Sequence, residues 1–285
     1  MRIKKAVITA AGTGTRLLPF TKETPKEMLP IYAKSFGHKI VLKPILQVIF
    51  ESIYEFGIRN YCFIVGRGKR SIEDHFLTTE QNKDRLTQKD ELEKFFKKIK
   101  KTNLSFVQQP IPKGFGDAVL KAKFFVGNEN FLLHAGDDVI VSRNNDDHLK
   151  RLQNAFFNHN ADMAFLVSRI KNPSSYGVIE YYSKKGGVYQ VKDLEEKPRK
   201  PKTNLAVIAT YLFKPSIFEE LQKTKPDKNG EIQLATAVKK VIRNGKSVAV
   251  ELTKNERRLD VGTPQSYFDC INHSYKTAER NNSFD

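Results

Sequence analysis

A chain of 285 residues, 39% hydrophobic and 28% charged, can bury a full core; this excludes a disordered class and favours one elaborated α/β domain over two independent ones. Its apolar runs, FIV and FLL among them, are far short of a bilayer span, and residues 5–10 enter a strand with no signal-type apolar region ahead of them, so a soluble, cytoplasmic protein without a membrane partner is expected. The formal charge of +17 attracts phosphate-bearing partners, but the lysines are scattered and, in KDELEKFFKKIKK at 89–101, interleave with Asp90, Glu91 and Glu93. That pattern is a solvated helix face with Phe95, Phe96 and Ile99 turned inward, and it disfavours a nucleic-acid groove. Cys62 and Cys270 show no metal-ligand spacing and fit a reducing compartment.

In chain order, 5–10 is rich in Val and Ile and is bounded by a glycine turn, the pattern of a buried parallel strand. Residues 32–41 are polar and glycine-containing, a hairpin or loop excursion. Pro44 opens a helix whose Ile45, Val48, Ile49, Ile53 and Phe56 share a face, and Gly57 stops it. Strand 61–65, helices 71–76 and 87–101, strand 104–107, a helix from about 116 to 126 and strand 131–135 follow. Such alternation implies a parallel, doubly wound sheet with ligands gathered beyond the carboxyl ends of its strands. Three of those ends carry unusual chemistry: 10–16, 108–116 and Asp137.

Beyond helix 147–158 and strand 163–167 the pattern changes. Strand-like segments at 177–182, 188–195 and 205–212, with glycine or proline turns between them, suggest a smaller β-rich lobe after the nucleotide half, the division falling near residue 170. Helices at 216–224 and 231–244, strands at 246–252 and 258–261, a closing helix at 264–279 and a frayed polar tail at 280–285 complete the chain.

The turn Gly12-Thr13-Gly14-Thr15-Arg16 is neither a dinucleotide fingerprint, since Leu17 stands where the third glycine would be, nor a P-loop. About half of such turns merely reverse the chain. Here Arg16 and Lys26 bracket it, and two cations beside a nest of amides suit a polyphosphate. Asp137 and Asp138 at a strand end read either as a cap or as ligands; Asp260, Lys197 before Pro198 and Gln109 before Pro110 are each, by themselves, ordinary turn residues. The histidines, His75 and His134 among them, lack ligand spacing.

AAGTGTRLLPFTKETPKEMLPI resembles the signature of the sugar-nucleotide pyrophosphorylases, and TPKEMLPI looks most like their UTP-glucose-1-phosphate uridylyltransferase branch. QPIPKGFGDA from Gln109, GDD at Gly136, SYGVIE at Ser175, LEEKP at Leu194, NLAVIATYLF at Asn204, NGEIQLATA at Asn229 and LDVGTPQSY at Leu259 continue the match in the family's order, nearly end to end. The resemblance implies a Rossmann-like, doubly wound mixed sheet of nucleotidyltransferase type. It also implies transfer of a uridylyl group from UTP to glucose 1-phosphate with Mg²⁺, and self-association into a homo-oligomer. Backbone groups of Ala10, Ala11 and Gly12, with Gln109 and Gly114, would hold the uracil, the glutamine amide pairing with both a carbonyl and an N–H of the base. Arg16 and Lys26 would neutralise the triphosphate, Lys197 would hold the sugar phosphate, and Asp137 and Asp260 would bind Mg²⁺; Glu196 and Gly177 would face the sugar, and Glu27 the ribose.

Four departures from the branch stand out. Asp117 replaces a histidine, Ala209 a glycine, ATA at Ala235 the usual TDA, and the stretch 35–42 is long. They bear on nucleotide and sugar preference, leaving dTTP-using thymidylyl transfer as an alternative. A non-catalytic nucleotide-sugar-binding relative is the other, disfavoured by the retention of both cations and both carboxylates.

Overall fold

The computed structural model describes residues 2–35, 39–77, 89–141 and 147–280. Strand β1 (Lys5–Ala10) lies between β4 (Asn60–Gly66) and β6 (Phe131–Ala135), parallel to both, and β5 (Asn103–Gln109) extends the parallel set beside β4. Its side chains alternate between two separate cores: Ala6, Ile8 and Ala10 face one, Val7 faces the other. β4 does the same, with Tyr61, Phe63 and Val65 on one side and Cys62 and Ile64 on the other. Such strands are continuously apolar because neither face meets water.

β8 (Met163–Arg169), β9 (Gly177–Lys185), β10 (Val188–Glu196), β11 (Leu205–Phe213) and β12 (Ser247–Glu251) complete a nine-stranded sheet in the order β5-β4-β1-β6-β11-β8-β12-β10-β9. The sheet is mixed, as the family resemblance implies, and not wholly parallel, as the strand–helix alternation alone suggests. β11 runs antiparallel to both β6 and β8. A strand buried on both faces reads the same in either direction, so its sequence carries no sign of its orientation. The β9–β10 hairpin forms one edge of this sheet, so the β-rich segments share it with the N-terminal strands.

On the first face lie α1 (Ile45–Phe56), α2 (Arg70–Phe76), α3 (Lys89–Ile99) and α6 (Asp147–Asn158); on the second lie α4 (Phe115–Lys121), α5 (Lys123–Val126), α7 (Ile217–Gln222) and α8 (Leu234–Asn244). The helix expected over 116–126 is thus two segments joined at Ala122. The helix expected from 231 starts at Leu234, because the Asp227 carboxylate accepts hydrogen bonds from the Asn229 and Glu231 amides and from Gln233, holding that stretch as a turn. The excursion near 32–41 is a hairpin of β2 (Pro30–Lys34) and β3 (Ile40–Pro44), packed under α9 (Pro264–Arg280). A further ladder joins β7 (Asp138–Val141) to β13 (Arg257–Asp260). Residues 36–38 of the expected excursion, 87 and 88 of the expected third helix and 281–285 of the expected tail lie outside the described residues. Among the described residues no helix is long and apolar enough to cross a membrane.

α1 shows why the elements form. Ile45, Ile49, Ile53 and Phe56, with Leu46 and Phe50, recur every three or four residues and are buried. Phe50 meets Tyr61, Phe76 and Phe95 at ring-centroid distances of 4.8, 5.3 and 5.9 Å. Replacing Phe50 by Ala removes this hub, and is expected to cost about 3–5 kcal/mol of stability. Denaturant titration should show the loss as a lower midpoint at unchanged slope.

Candidate active site

The carboxyl ends of β1, β4, β5 and β6 form one rim, and the chemistry-bearing segments leave the sheet there. After Ala10 the chain passes through Gly14, whose φ of 66° lies in the left-handed region that glycine enters without steric cost. Thr21 Oγ1 donates to the Gly14 carbonyl at 2.7 Å and fixes the turn. The turn carries Arg16, and a later single turn, Lys26–Met28, carries Lys26. Lys26 Nζ forms an ion pair with Asp137 Oδ2, just past the end of β6. A Cβ on Gly12 would stand 3.5 Å from the same Nζ, so the amine lies over the glycine turn.

A cleft of about 400 Å³ opens over this pair. Of the residues expected from sequence, Ala11, Gly12, Lys26, Glu27, Gln109, Gly114 and Asp137 line it. An adjoining cleft of about 270 Å³ shares Gly12, Lys26 and Gln109 and adds Lys22, Arg67 and Lys69. Ala10 is buried beneath the rim. Arg16 and Asp260 both approach Gly262: a Cβ there would lie 2.9 Å from an Arg16 amine and 3.0 Å from an Asp260 oxygen. Asp260 pairs in register with Asp138, which places it next to Asp137.

The charges are arranged in pairs. Burial disfavours charge on Asp137, but Lys26, a backbone hydrogen bond and Arg258 outweigh it and hold its carboxyl below the usual range. Burial likewise opposes charge on Lys26, yet Asp137 and Glu27 raise its pKa, so the amine stays protonated. Asp138, 2% exposed, accepts from Arg258 Nε at 2.7 Å and lies 3.4 Å from the Ala209 amide, which a register shift in β11 frees from its ladder. Burial raises Asp260, Arg258 opposes the rise, and Asp138 and Asp137 add to it.

Glu27 is 1% exposed and receives a hydrogen-bonded ion pair from Lys69 at 2.7 Å. Gln109 donates its amide to Gly114 O at 3.2 Å and to Asp117 Oδ2 at 2.8 Å. Gly114 itself has a φ of 93°, and a Cβ there would stand 2.8 Å from the Ile232 carbonyl, so both conformation and space require glycine.

Gly177, Glu196 and Lys197 form a separate group on the β9–β10 hairpin, outside the lining of the cleft. Gly177 pairs with Glu196; Lys197 takes a φ of 47°, donates its amide to Tyr176 O at 3.0 Å, and keeps Nζ 3.7 Å from Glu196. A left-handed lysine costs about 1–2 kcal/mol, strain that tends to gather at functional sites. Tyr176, beneath the Arg258 guanidinium at 4.7 Å, connects this group to the Asp138 and Asp260 ladder.

Sequence reasoning missed Lys69 and Arg258. Lys69 follows the glycine end of a strand, as the recognised cations do, and Arg258 sits two residues before Asp260; both were therefore within reach. Neither cysteine competes with this arrangement as an activated nucleophile. Burial pushes the Cys62 thiol up to about 12, and burial and Asp260 do the same for Cys270. His75, held by Gln47, is pushed down to about 4 by burial.

Paired cations and carboxylates over a glycine turn, at the strand ends of a mixed sheet, define an α/β enzyme that handles phosphate esters. The chain belongs to the nucleotidyl transferase family, whose sequence pattern matches residues 5–277. It is 38% identical over 266 residues to a Methanocaldococcus jannaschii protein provisionally named UTP-glucose-1-phosphate uridylyltransferase, covering 91% of this chain and 89% of the relative. It is also 38% identical over 269 residues to UTP-glucose-1-phosphate uridylyltransferase 2 of Streptococcus pyogenes serotype M3, covering 92% and 86%. A crystal structure of a UDP-glucose pyrophosphorylase complexed with UDP-glucose superposes with a TM-score of 0.84 at 34% identity, covering 97% of this chain and 100% of that one.

The Lys69–Glu27 pair can be tested apart from catalysis. Lys69→Met removes the hydrogen-bonded partner of buried Glu27 and is expected to cost about 3–5 kcal/mol, and Glu27→Gln in the same chain should restore part of it. Burial raises Glu27 above its ordinary 4.5, and removing Lys69 raises it further. The folded variant then binds more protons than the unfolded chain, so its stability falls as pH rises. Thermal melting should show a smaller deficit at about pH 5 than at about pH 8.

Proposed function

We propose that this enzyme transfers a uridylyl group from UTP to glucose 1-phosphate, releasing UDP-glucose and pyrophosphate. The observation that carries the reading is the convergence of Lys26, Asp137 and the glycine turn on one cleft at the strand ends. The names of the relatives supply the nucleotide and the sugar.

A sugar phosphate has a second pKa of about 6, so at neutral pH its oxygen is already anionic and needs little help from a general base. That oxygen attacks the α-phosphorus as the bond to the pyrophosphate oxygen breaks in line. The barrier lies in bringing anions together and in the charge that builds on the leaving group. Lys26, kept protonated, and Arg16 meet that charge from the first turns of the chain. Ala11, Gly12, Gln109 and Gly114 hold the base in the cleft, while Lys197, Glu196 and Gly177 receive the sugar phosphate on the hairpin side.

Enzymes of this family generally use a divalent metal. Among the described residues no group of three or more His, Cys, Asp or Glu side chains could hold one. Asp137 and Asp260 offer hard oxygens on neighbouring positions, and two carboxylates completed by substrate phosphates are an ordinary Mg²⁺ environment, so the donor set fits a shared ion. Mg²⁺ bound there would neutralise phosphate charge. Two buried, unpaired cysteines support a reducing cytoplasmic setting.

Pyrophosphate release measured with UTP or dTTP against glucose 1-phosphate tests the assignment. UTP should give the higher kcat/KM, and a clear preference for dTTP would overturn the uridylyl reading. Lys26→Ala should lower kcat about 10²–10³-fold with the fold retained by circular dichroism. Near-normal turnover in that variant would remove Lys26 from the mechanism.

A further inference from the structure

Glutamine ordinarily reads a pyrimidine edge with two hands, a carbonyl that accepts and an amide that donates. In this fold the donating hand is taken. Gln109, 4% exposed at the end of β5, directs Nε2 to Gly114 O at 3.2 Å and to Asp117 Oδ2 at 2.8 Å. An amide nitrogen has two hydrogens, and these two acceptors consume both. Among the described residues Oε1 accepts no hydrogen bond, and Gln109 lines both clefts.

Chemistry fixes the orientation as well as geometry does. Turning the amide over would press its carbonyl oxygen against a carbonyl and a carboxylate, two acceptor–acceptor contacts at hydrogen-bond distance. Gly114 O is already shared with the Ala118 amide at 3.2 Å, so by itself it biases Gln109 weakly. The carboxylate of Asp117 makes the choice one-sided. It is 6% exposed, stands in the first turn of α4, and has Lys121 Nζ 3.6 Å from its other oxygen.

On the uridylyl-transfer reading, we infer that Asp117 is a positioning residue for base specificity: it locks Gln109 so that the cleft presents an acceptor, which matches the N3–H of uracil and opposes the N3 lone pair of cytosine. Asp117 touches Gln109 and not the base. The expected two-handed pairing of Gln109 is thereby reduced to one hand, and the base carbonyls must be met by other groups. Thymine carries the same N3–H, so this lock separates uracil and thymine from cytosine and leaves the choice between UTP and dTTP to other contacts. It also gives a role to the residue that departs from the branch pattern, where a histidine could either accept from Gln109 or donate to it.

The competing view is that Asp117 merely favours the start of α4 through the helix dipole. Calorimetric titration of the full chain with UDP and with CDP separates the two, because a dipole or packing effect weakens both nucleotides alike. The wild type should prefer UDP by about 10²-fold or more, since a site built around one donor rejects the analogue that lacks it. Asp117→Asn is nearly isosteric and can offer Gln109 either an oxygen or an N–H; it should shrink that ratio about three- to ten-fold. Asp117→Leu removes the acceptor and should shrink the ratio further, mainly by weakening UDP. Folding of each variant is checked by circular dichroism, and Asp117→Asn decides the matter if the leucine variant does not fold. A folded variant that keeps the wild-type ratio, or a wild type without preference for UDP, overturns the assignment. A wild type that prefers UDP to CDP but releases no pyrophosphate from UTP, with both variants behaving as expected, would sink the transfer reading and support the lock.

Discussion

The ion pair between Lys26 and Asp137 joins two points 111 residues apart in the chain, and the site depends on it. One partner belongs to the turns that leave β1, the other to the end of the adjacent strand β6. Neither charge is comfortable where it stands, because burial works against both; each is kept by the other and by neighbouring charges. The pair therefore holds a protonated amine and an ionised carboxylate side by side over a glycine turn. Those are the two species that a triphosphate and a divalent cation would each seek.

The rest of the rim follows the same pattern of opposed partners. Lys69 answers Glu27, and Arg258 answers Asp138 and also acts on Asp260. Such pairing lets acidic and basic groups crowd one rim with their charges satisfied before substrate arrives. The mixed sheet makes it possible: β11 passes antiparallel through the middle, and its register shift frees the Ala209 amide for Asp138 at the foot of the cleft. Of the chain's 49 lysines and arginines, the cations that matter here are a handful selected by position.

How much of this could be read from the residues depended on whether the determining contacts were local. β1, β4 and β6 were legible because burial on both faces forces an unbroken apolar run, and α1 because its apolar spacing matches a helix and Gly57 ends it. The direction of β11 was not legible, since it is set by the path between strands and not by strand composition. β7 was missed because it is four residues long and follows directly on Gly136 and Asp137. In the site, Arg16, Lys26, Gln109, Asp137 and Asp260 stood out by lying at strand ends within recognisable segments. The pairings of Glu27 with Lys69, Asp138 with Arg258 and Gln109 with Asp117 are tertiary facts. They changed the chemistry expected of Glu27 and Gln109, whose polar atoms are partly committed inside the protein.

The central claim is that segments from the first turn and from two later strand ends build one nucleotide site. Backbone hydrogen–deuterium exchange with and without UTP and Mg²⁺ tests it most directly. The account predicts simultaneous protection of residues 11–16, 109–116 and 136–138, which border the same cleft. Protection confined to one of these segments, or appearing instead on the basic face of α3, would contradict it.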